Sequence, residues 1–282
     1  MSFAPFVELK SSDVKSTYAT KQYPLGTMGR TGDGRMYAFS LAGEALSTAI
    51  PLTPLARGGL ATTAFTNINT TIQTTSDMTS TWRTISLSTT WSTWGAIANE
   101  YADGYLVVEK STHASAAGQM VKIKANTAGS TSTTDSPLHT VITFEDDDKL
   151  SAGLNEGATV QAVHSLYFDV IEHDGGSTTL PIIGVPNVDV ANDYYFWAQT
   201  WGACPVLEDA TLVYGESAVG STQSDQGVQP LALLSSTGSS DTALASTIPL
   251  ISGIERRSIG WVLGPASGDN DYTLLFLTIR PG

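Results

Sequence analysis

Cysteine occurs once in 282 residues, as Cys204. A single thiol excludes an intramolecular disulfide and any thiolate-rich zinc site, so stability has to come from packing or assembly. No run of 18 apolar residues is present, which removes a membrane-spanning helix. Residues 1–20 carry neither an apolar h-region nor a small-residue cleavage site, predicting a polypeptide made and kept in a cytoplasm until it assembles. Charge is scarce: 15% of residues carry one, against about 25% in an average globular protein. Basic residues are the rarer sign, 14 against 27 acidic, for a net charge of −13. A chain of that sign repels phosphate backbones, so nucleic acid is not expected as a direct ligand.

Catalytic signatures are missing too. There is no G-x-S-x-G elbow, P-loop, H-E-x-x-H or C-x-x-C. The four histidines, His113, His139, His164 and His173, stand apart without ligand spacing. Gly29, Gly32 and Gly34 have the wrong spacing for a phosphate loop and lead into a strand instead of a helix N-terminus. Cys204 precedes Pro205 with no basic neighbour, which predicts a buried structural thiol. The acidic run from Glu145 to Asp148 lacks the alternate spacing of an EF-hand, and successive strand residues face opposite ways; a solvated turn is expected there. The chain is therefore read as a non-enzyme with no catalytic residue, cofactor or metal. A hydrolase on a β-sandwich is the remaining enzymatic alternative, since the geometry of a carboxylate pair is not legible in a sequence.

Serine, threonine and glycine take the place of the missing charge. With abundant Val and aromatics, this is the composition of many short strands joined by small polar turns. The expected fold is mainly β. An N-terminal extended arm and β-hairpin occupy 1–57, and a β-barrel or β-sandwich body of one or two subdomains occupies 58–282. The hairpin is read from Lys21 to Gly43. Tyr23-Pro24-Leu25 enters extended, because the residue before a proline is pushed from the helical region. Thr31-Gly32-Asp33-Gly34 turns the chain, with glycines free to take positive φ and Asp33 able to bond its own backbone. Arg35 to Leu41 returns with Met36, Ala38 and Ser40 on one face and Tyr37, Phe39 and Leu41 on the other, the period of a half-buried strand.

Before the hairpin, residues 1–20 mix Phe3, Phe6, Val7 and Leu9 with polar residues and show no sustained period, predicting an arm that stays mobile unless it docks on a neighbouring subunit. Beyond it, Glu44 to Thr48 suits one helical turn before Pro51 and Pro54. Arg57-Gly58-Gly59 reads as a joint, and residues 61–81 alternate Thr with scattered Phe and Ile, favouring strand. Strands are expected at Trp82–Leu87, Tyr105–Lys110, Gln119–Asn126, His139–Glu145, Thr159–Val170 and, within a loop-rich stretch 217–241, Val228–Leu234. In the second hairpin Lys122 and Lys124 should point to water. Trp91, Trp94, Tyr101 and Tyr105 serve either as core or as a recognition patch. Pro181–Val190 is extended and confined to an edge or crossover. Tyr194–Trp201 puts aromatics on both faces, which requires both to be covered, and Tyr272–Ile279 is so apolar that a central or interface strand is expected. The Thr-Trp-Gly-Ala at 93–96 and 200–203 recurs without aligned flanks and is read as coincidence.

Tyr-Pro-Leu-Gly-Thr at 23–27, Gly-Asp-Gly-Arg at 32–35 and the aromatic strand that follows resemble the opening of tailed-bacteriophage capsid decoration (cement) proteins. Glu100–Glu109 with Gly118–Thr127, Asn192–Ala203 and Ile259–Pro281 are similar to the same family, so the likeness runs nearly end to end. The resemblance implies a structural virion protein on the capsid exterior that stabilises contacts between major capsid protein subunits. It also implies a homo-oligomer, a trimer, with neither nucleic acid nor membrane as partner. Phe3, Phe6, Tyr23, Pro24, Leu25, Gly32, Asp33, Gly34, Arg35, Tyr37, Tyr195, Trp197 and Trp201 are the residues expected at capsid or subunit contacts. The alternative is a carbohydrate-binding or receptor-binding, tail-associated protein using Trp91, Trp94, Trp197 or Trp201 to stack on sugars.

Overall fold

A computed structural model describes residues 6–55, 68–71, 83–88, 97–110, 117–128, 139–148, 150–152, 154, 158–174, 180–221, 227–231, 258–266 and 271–279. Strands account for 48% of them, and the longest helical segment among the described residues is the 3-10 turn Asp13–Lys15. In chain order the strands are β1 (Val7–Leu9), β2 (Met28–Thr31), β3 (Met36–Leu41), β4 (Leu52–Pro54), β5 (Ile68–Thr71), β6 (Thr84–Ser88), β7 (Tyr105–Lys110), β8 (Met120–Asn126) and β9 (His139–Phe144). They continue as β10 (Thr159–Val163), β11 (Val170–Glu172), β12 (Val185–Pro186), β13 (Tyr195–Leu207), β14 (Ser217–Gly220), β15 (Val228–Pro230), β16 (Gly260–Gly264) and β17 (Tyr272–Thr278). The mainly-β fold expected from composition is the observed one.

The chain divides into two compact units. Unit 1 comprises Met1–Tyr23, Thr27–Leu55 and Asp169–Gly282; unit 2 comprises Pro24–Gly26 and Ala56–Phe168. The separate N-terminal domain expected over 1–57 is thereby corrected. The chain does change units after Leu55, but the arm and hairpin pair with strands from beyond Asp169, because β3 finds its partner in β13, some 150 residues later (Phe39 opposite Trp197).

Unit 1 is built on a nine-stranded sheet in the order β1-β2-β3-β13-β17-β16-β14-β15, with β12 pairing β13 beside that path, and a two-stranded sheet of β11 and β4. The hairpin of β2 and β3 forms as read, Met28 opposite Ala38 and Arg30 opposite Met36. β3 is buried on both faces, however, and only Met36 is half-buried. Three observations correct the mobile arm. Val7–Leu9 pairs in parallel with β2, Val14 is 2% exposed, and Tyr18 exchanges two backbone hydrogen bonds of 2.8 Å with Tyr195. The docking depends on Gly29: a Cβ there would lie 2.4 Å from Leu9 Cδ1 and 2.9 Å from Trp197 Cζ3, so only glycine leaves room for both side chains to close on this backbone. The helical turn expected at Glu44–Thr48 is absent. Leu46 instead bridges Val190, and the carboxylates of Glu44 and Glu172 accept the backbone N–H groups of Glu172 and Ser47.

Unit 2 holds a six-stranded sheet, β5-β10-β7-β8-β9-β6, whose end strands β5 and β6 come to lie beside one another. The sheet thus curls around Leu106, Val108, Val121, Ile123, Ile142 and Phe144, all 1% exposed or less. β8 alternates as expected: Val121 and Ile123 face inward, while Lys124 is exposed and Lys122 half-exposed. The acidic run is a turn. Asp146 lies 2.6 Å from Arg83 Nη1 and 3.1 Å from Lys124 Nζ, and the Lys124 and Arg83 cations hold its carboxyl below the ordinary range. Asp148 accepts the backbone N–H of Lys122. Asn126 ties the 97–104 loop to β8, its amide accepting from Tyr101 N–H and donating to the Ile97 carbonyl, and donating also to the carbonyl of its neighbour Thr127.

β15 covers Val228–Pro230 of the strand expected over Val228–Leu234, and positions 232–234 lie outside the described residues. Phe3, Arg57-Gly58-Gly59, 61–67, 72–81, Trp82, Trp91, Trp94, the repeat at 93–96 and His113 lie outside the described residues.

Candidate interaction surface

The hairpin turn is held by Asp33. Its carboxylate accepts from Thr31 Oγ1 at 2.5 Å, from Arg35 N–H at 3.3 Å and from Arg35 Nε at 2.8 Å, and these contacts, the Thr31 hydroxyl first, lower its pKa. Gly34 takes φ +89°, closing the turn with a 2.9 Å bond to the Thr31 carbonyl. Gly32 is outside the left-handed region, and a Cβ there would meet nothing within 4 Å. Equal need for both glycines is thus not observed. Gly34→Val is expected to lower stability by about 1–2 kcal/mol and Gly32→Val by less than about 0.5 kcal/mol, as measured by urea denaturation. Equal losses would refute this account of the turn.

Several expected contact residues are core. Tyr37 and Trp197 are 0% and 1% exposed, and Leu25 is 7% exposed with its N–H donated to Asp103 Oδ2. Tyr37 sits beneath Arg35, whose guanidinium carbon lies 6.0 Å from the ring centroid, and its hydroxyl accepts from Asn187; burial pushes its pKa up to about 12. Tyr23, Phe39, Tyr195 and Trp197 form one aromatic cluster, with Phe39 centroids 5.1 Å from Trp197, 5.5 Å from Tyr23 and 5.7 Å from Tyr195. Of the expected contact set, Phe6, Tyr23, Pro24, Gly32 and Asp33 are exposed, and Gly34, Arg35, Tyr195 and Trp201 are half-buried.

His164 and His173 each have partners within their own unit. His164 stacks on Tyr101 at 4.2 Å, with its Nε2 3.2 Å from Glu100 Oε1, in unit 2. His173 donates from Nε2 to the Ser221 carbonyl in unit 1. Among the described residues no group of three or more His, Cys, Asp or Glu is placed to hold a metal, and no helix is long and apolar enough to cross a membrane. Cys204 is 0% exposed, and burial pushes its thiol up to about 12.

The feature that sequence reading did not locate lies on the adjacent strands β13, β17 and β16. Their inward residues, Cys204 and Val206, Leu275 and Leu277, and Val262, pack with Val185 and Leu212 into one core. Their outward residues alternate with these and are uncovered. On β17, Tyr272 is 58% and Leu274 41% exposed; on β16, Trp261 is 50% and Leu263 41% exposed. Ala203 and Pro205 of β13 are exposed, Trp201 and Phe276 half-buried. Register places Trp261, Phe276 and Ala203 in one row and Leu274 beside Pro205 in the next. Phe276 joins the rings, 5.4 Å from Trp201 edge-on and 6.4 Å from Trp261 nearly parallel. From Trp201 to Thr278 no outward position on these three strands carries a charge, in a chain of net charge −13. The face's signal in the sequence is the apolar run of β17, which suits a central or an interface strand. It is central, and one of its faces stays open.

Fold and surface together define a two-unit, all-β protein with an uncharged, aromatic sheet face. No family model, no curated protein and no solved structure matches the chain.

Proposed function

We propose that the chain is a structural virion protein that binds the outer surface of a tailed-phage capsid and stabilises contacts between major capsid protein subunits. The observation that carries this reading is the uncharged outer face of β13, β17 and β16. Exposed apolar area of this kind on an otherwise acidic protein marks a surface that another protein covers. The resemblance of the hairpin and of the β16–β17 segment to decoration proteins supplies the particle. The exposed turn at Gly32 and Asp33, stiffened by the Asp33–Arg35 pair, is the proposed capsid contact in the N-terminal region. Many weak contacts repeated over a symmetric shell add through multivalency.

The test mixes the purified chain with capsids of its own phage assembled without it. Co-sedimentation and a rise of several degrees in capsid melting temperature are expected. A specific observation favours a second reading, glycan binding: the Trp201, Phe276 and Trp261 rings form a stacking row. Sugars also need several hydrogen-bonding side chains around the ring, and among the described residues this row has beside it the hydroxyls of Thr278, across from Trp201, and Ser217, across from Trp261. Glycan-array binding without capsid binding would establish the second reading over the first.

A further inference from the structure

We infer that the outer face of β13, β17 and β16 pairs with the same face of a second copy of this chain. The inference names the partner of the surface invoked above and rests on reading that surface as one built to be covered by protein. Charge selects the partner. Burying an unpaired charge against an apolar face costs several kcal/mol, so whatever covers this face is itself uncharged where it touches. A basic partner, nucleic acid or an anionic headgroup would gain nothing here. Two copies of net charge −13 repel, and their approach is least opposed where neither presents charge.

Shape points the same way. The face has a ridge, made by Trp261 and Phe276, and beside it a shallow strip at Ala203 and Pro205. In an isologous pair the ridge of each copy lies over the strip of the other, since a twofold axis makes every contact twice. The exposed side chains of the face amount to roughly 600 Å² per copy, from the usual size of these residues. Pairing would remove about 1,200 Å², the lower end of a standard specific interface. Twofold pairing leads to even-numbered assemblies and so departs from the trimer that the resemblance implies.

The experiment is sedimentation velocity on the full chain over roughly 1–100 µM, the range in which an interface of this size associates. A concentration-dependent dimer or even-numbered oligomer is expected. Leu274→Asp and, separately, Leu263→Asp put a carboxylate into the pair and should weaken association about a hundredfold, with near-UV circular dichroism unchanged because both positions are exposed. Phe6→Asp, also exposed but beside β1 at the far edge of the same sheet, should leave it unaltered. As a second readout, pyrene attached at Leu263→Cys should give excimer emission in the oligomer, and buried Cys204 stays unlabelled. A monomer across the range, an odd-numbered oligomer, association indifferent to both Asp variants, or a monomer that floats with neutral vesicles would each overturn the inference. Capsid binding by a monomer would leave the proposed function standing without it; an oligomer that ignores capsids would do the reverse.

Discussion

Trp197→Ala is expected to remove most of the stability of unit 1, about 3–5 kcal/mol, while Trp201→Ala costs about 1 kcal/mol or less. The two tryptophans lie four residues apart on one strand, and the sequence offered both as contact residues. Trp197 is 1% exposed, with its ring centroid 5.1 Å from Phe39 and 5.4 Å from Tyr23, and it closes with Leu9 on the Gly29 backbone. Its removal opens a cavity where β1, β2, β3 and β13 converge. These strands and the two-residue β12 cannot close it without breaking their ladders. Trp201 packs edge-on to Phe276 at the open face, and water fills its place. A domain has about 5–15 kcal/mol in total, so the first variant sits near its unfolding threshold at ambient temperature. Urea denaturation followed by tryptophan fluorescence measures both. Similar losses in the two variants would mean that the burial difference between them is not energetic. The first variant should also release the N-terminal arm, read as faster amide exchange at Glu8 and Tyr18.

Alkaline pH is expected to destabilise unit 1 steeply. Cys204 is fully buried, and its thiol titrates at about 12 instead of the ordinary 9.0, through burial that the Arg35 charge only partly offsets. Between those values the unfolded chain has lost the proton and the folded chain keeps it. The folded state binds more protons, so stability falls as pH rises, by about 1.4 kcal/mol per unit and about 4 kcal/mol across the window. Below pH 9 both states are protonated and the term is constant. Tyr37, also pushed up to about 12 by burial from an ordinary 10.0, adds to the slope above pH 10. Urea midpoints measured from pH 8 to 11 should decline from pH 9 upward. In Cys204→Ala they should stay level to about pH 10. Equal slopes would sink the assignment to the thiol. At pH 8 the native thiol should also resist a maleimide that labels it promptly in urea.

The sequence by itself determined what local chemistry controls. The turn at Thr31–Arg35 forms from its own side chains, with Asp33 bonding Thr31 and Arg35 and Gly34 at positive φ. The β7–β8 hairpin follows the alternation of Val121 and Ile123 with lysines, and the acidic turn sits beside its cations. The double-sided aromatics at Tyr195–Trp201 required a covered strand, and β13 is buried on both faces over Phe196–Thr200. Tertiary structure decided what depends on partners distant in sequence. A three-residue strand such as β1 carries no period to read, and it docks because a glycine notch lies opposite, on β2. The chain from Ala56 to Phe168 forms its own unit between two halves of another, because β3 pairs with β13 and not with a neighbour in sequence. Composition also could not separate the two faces of β17, apolar on both. One went inward because Val185 and Leu212 reached it from other segments, leaving Leu274 and Tyr272 outward.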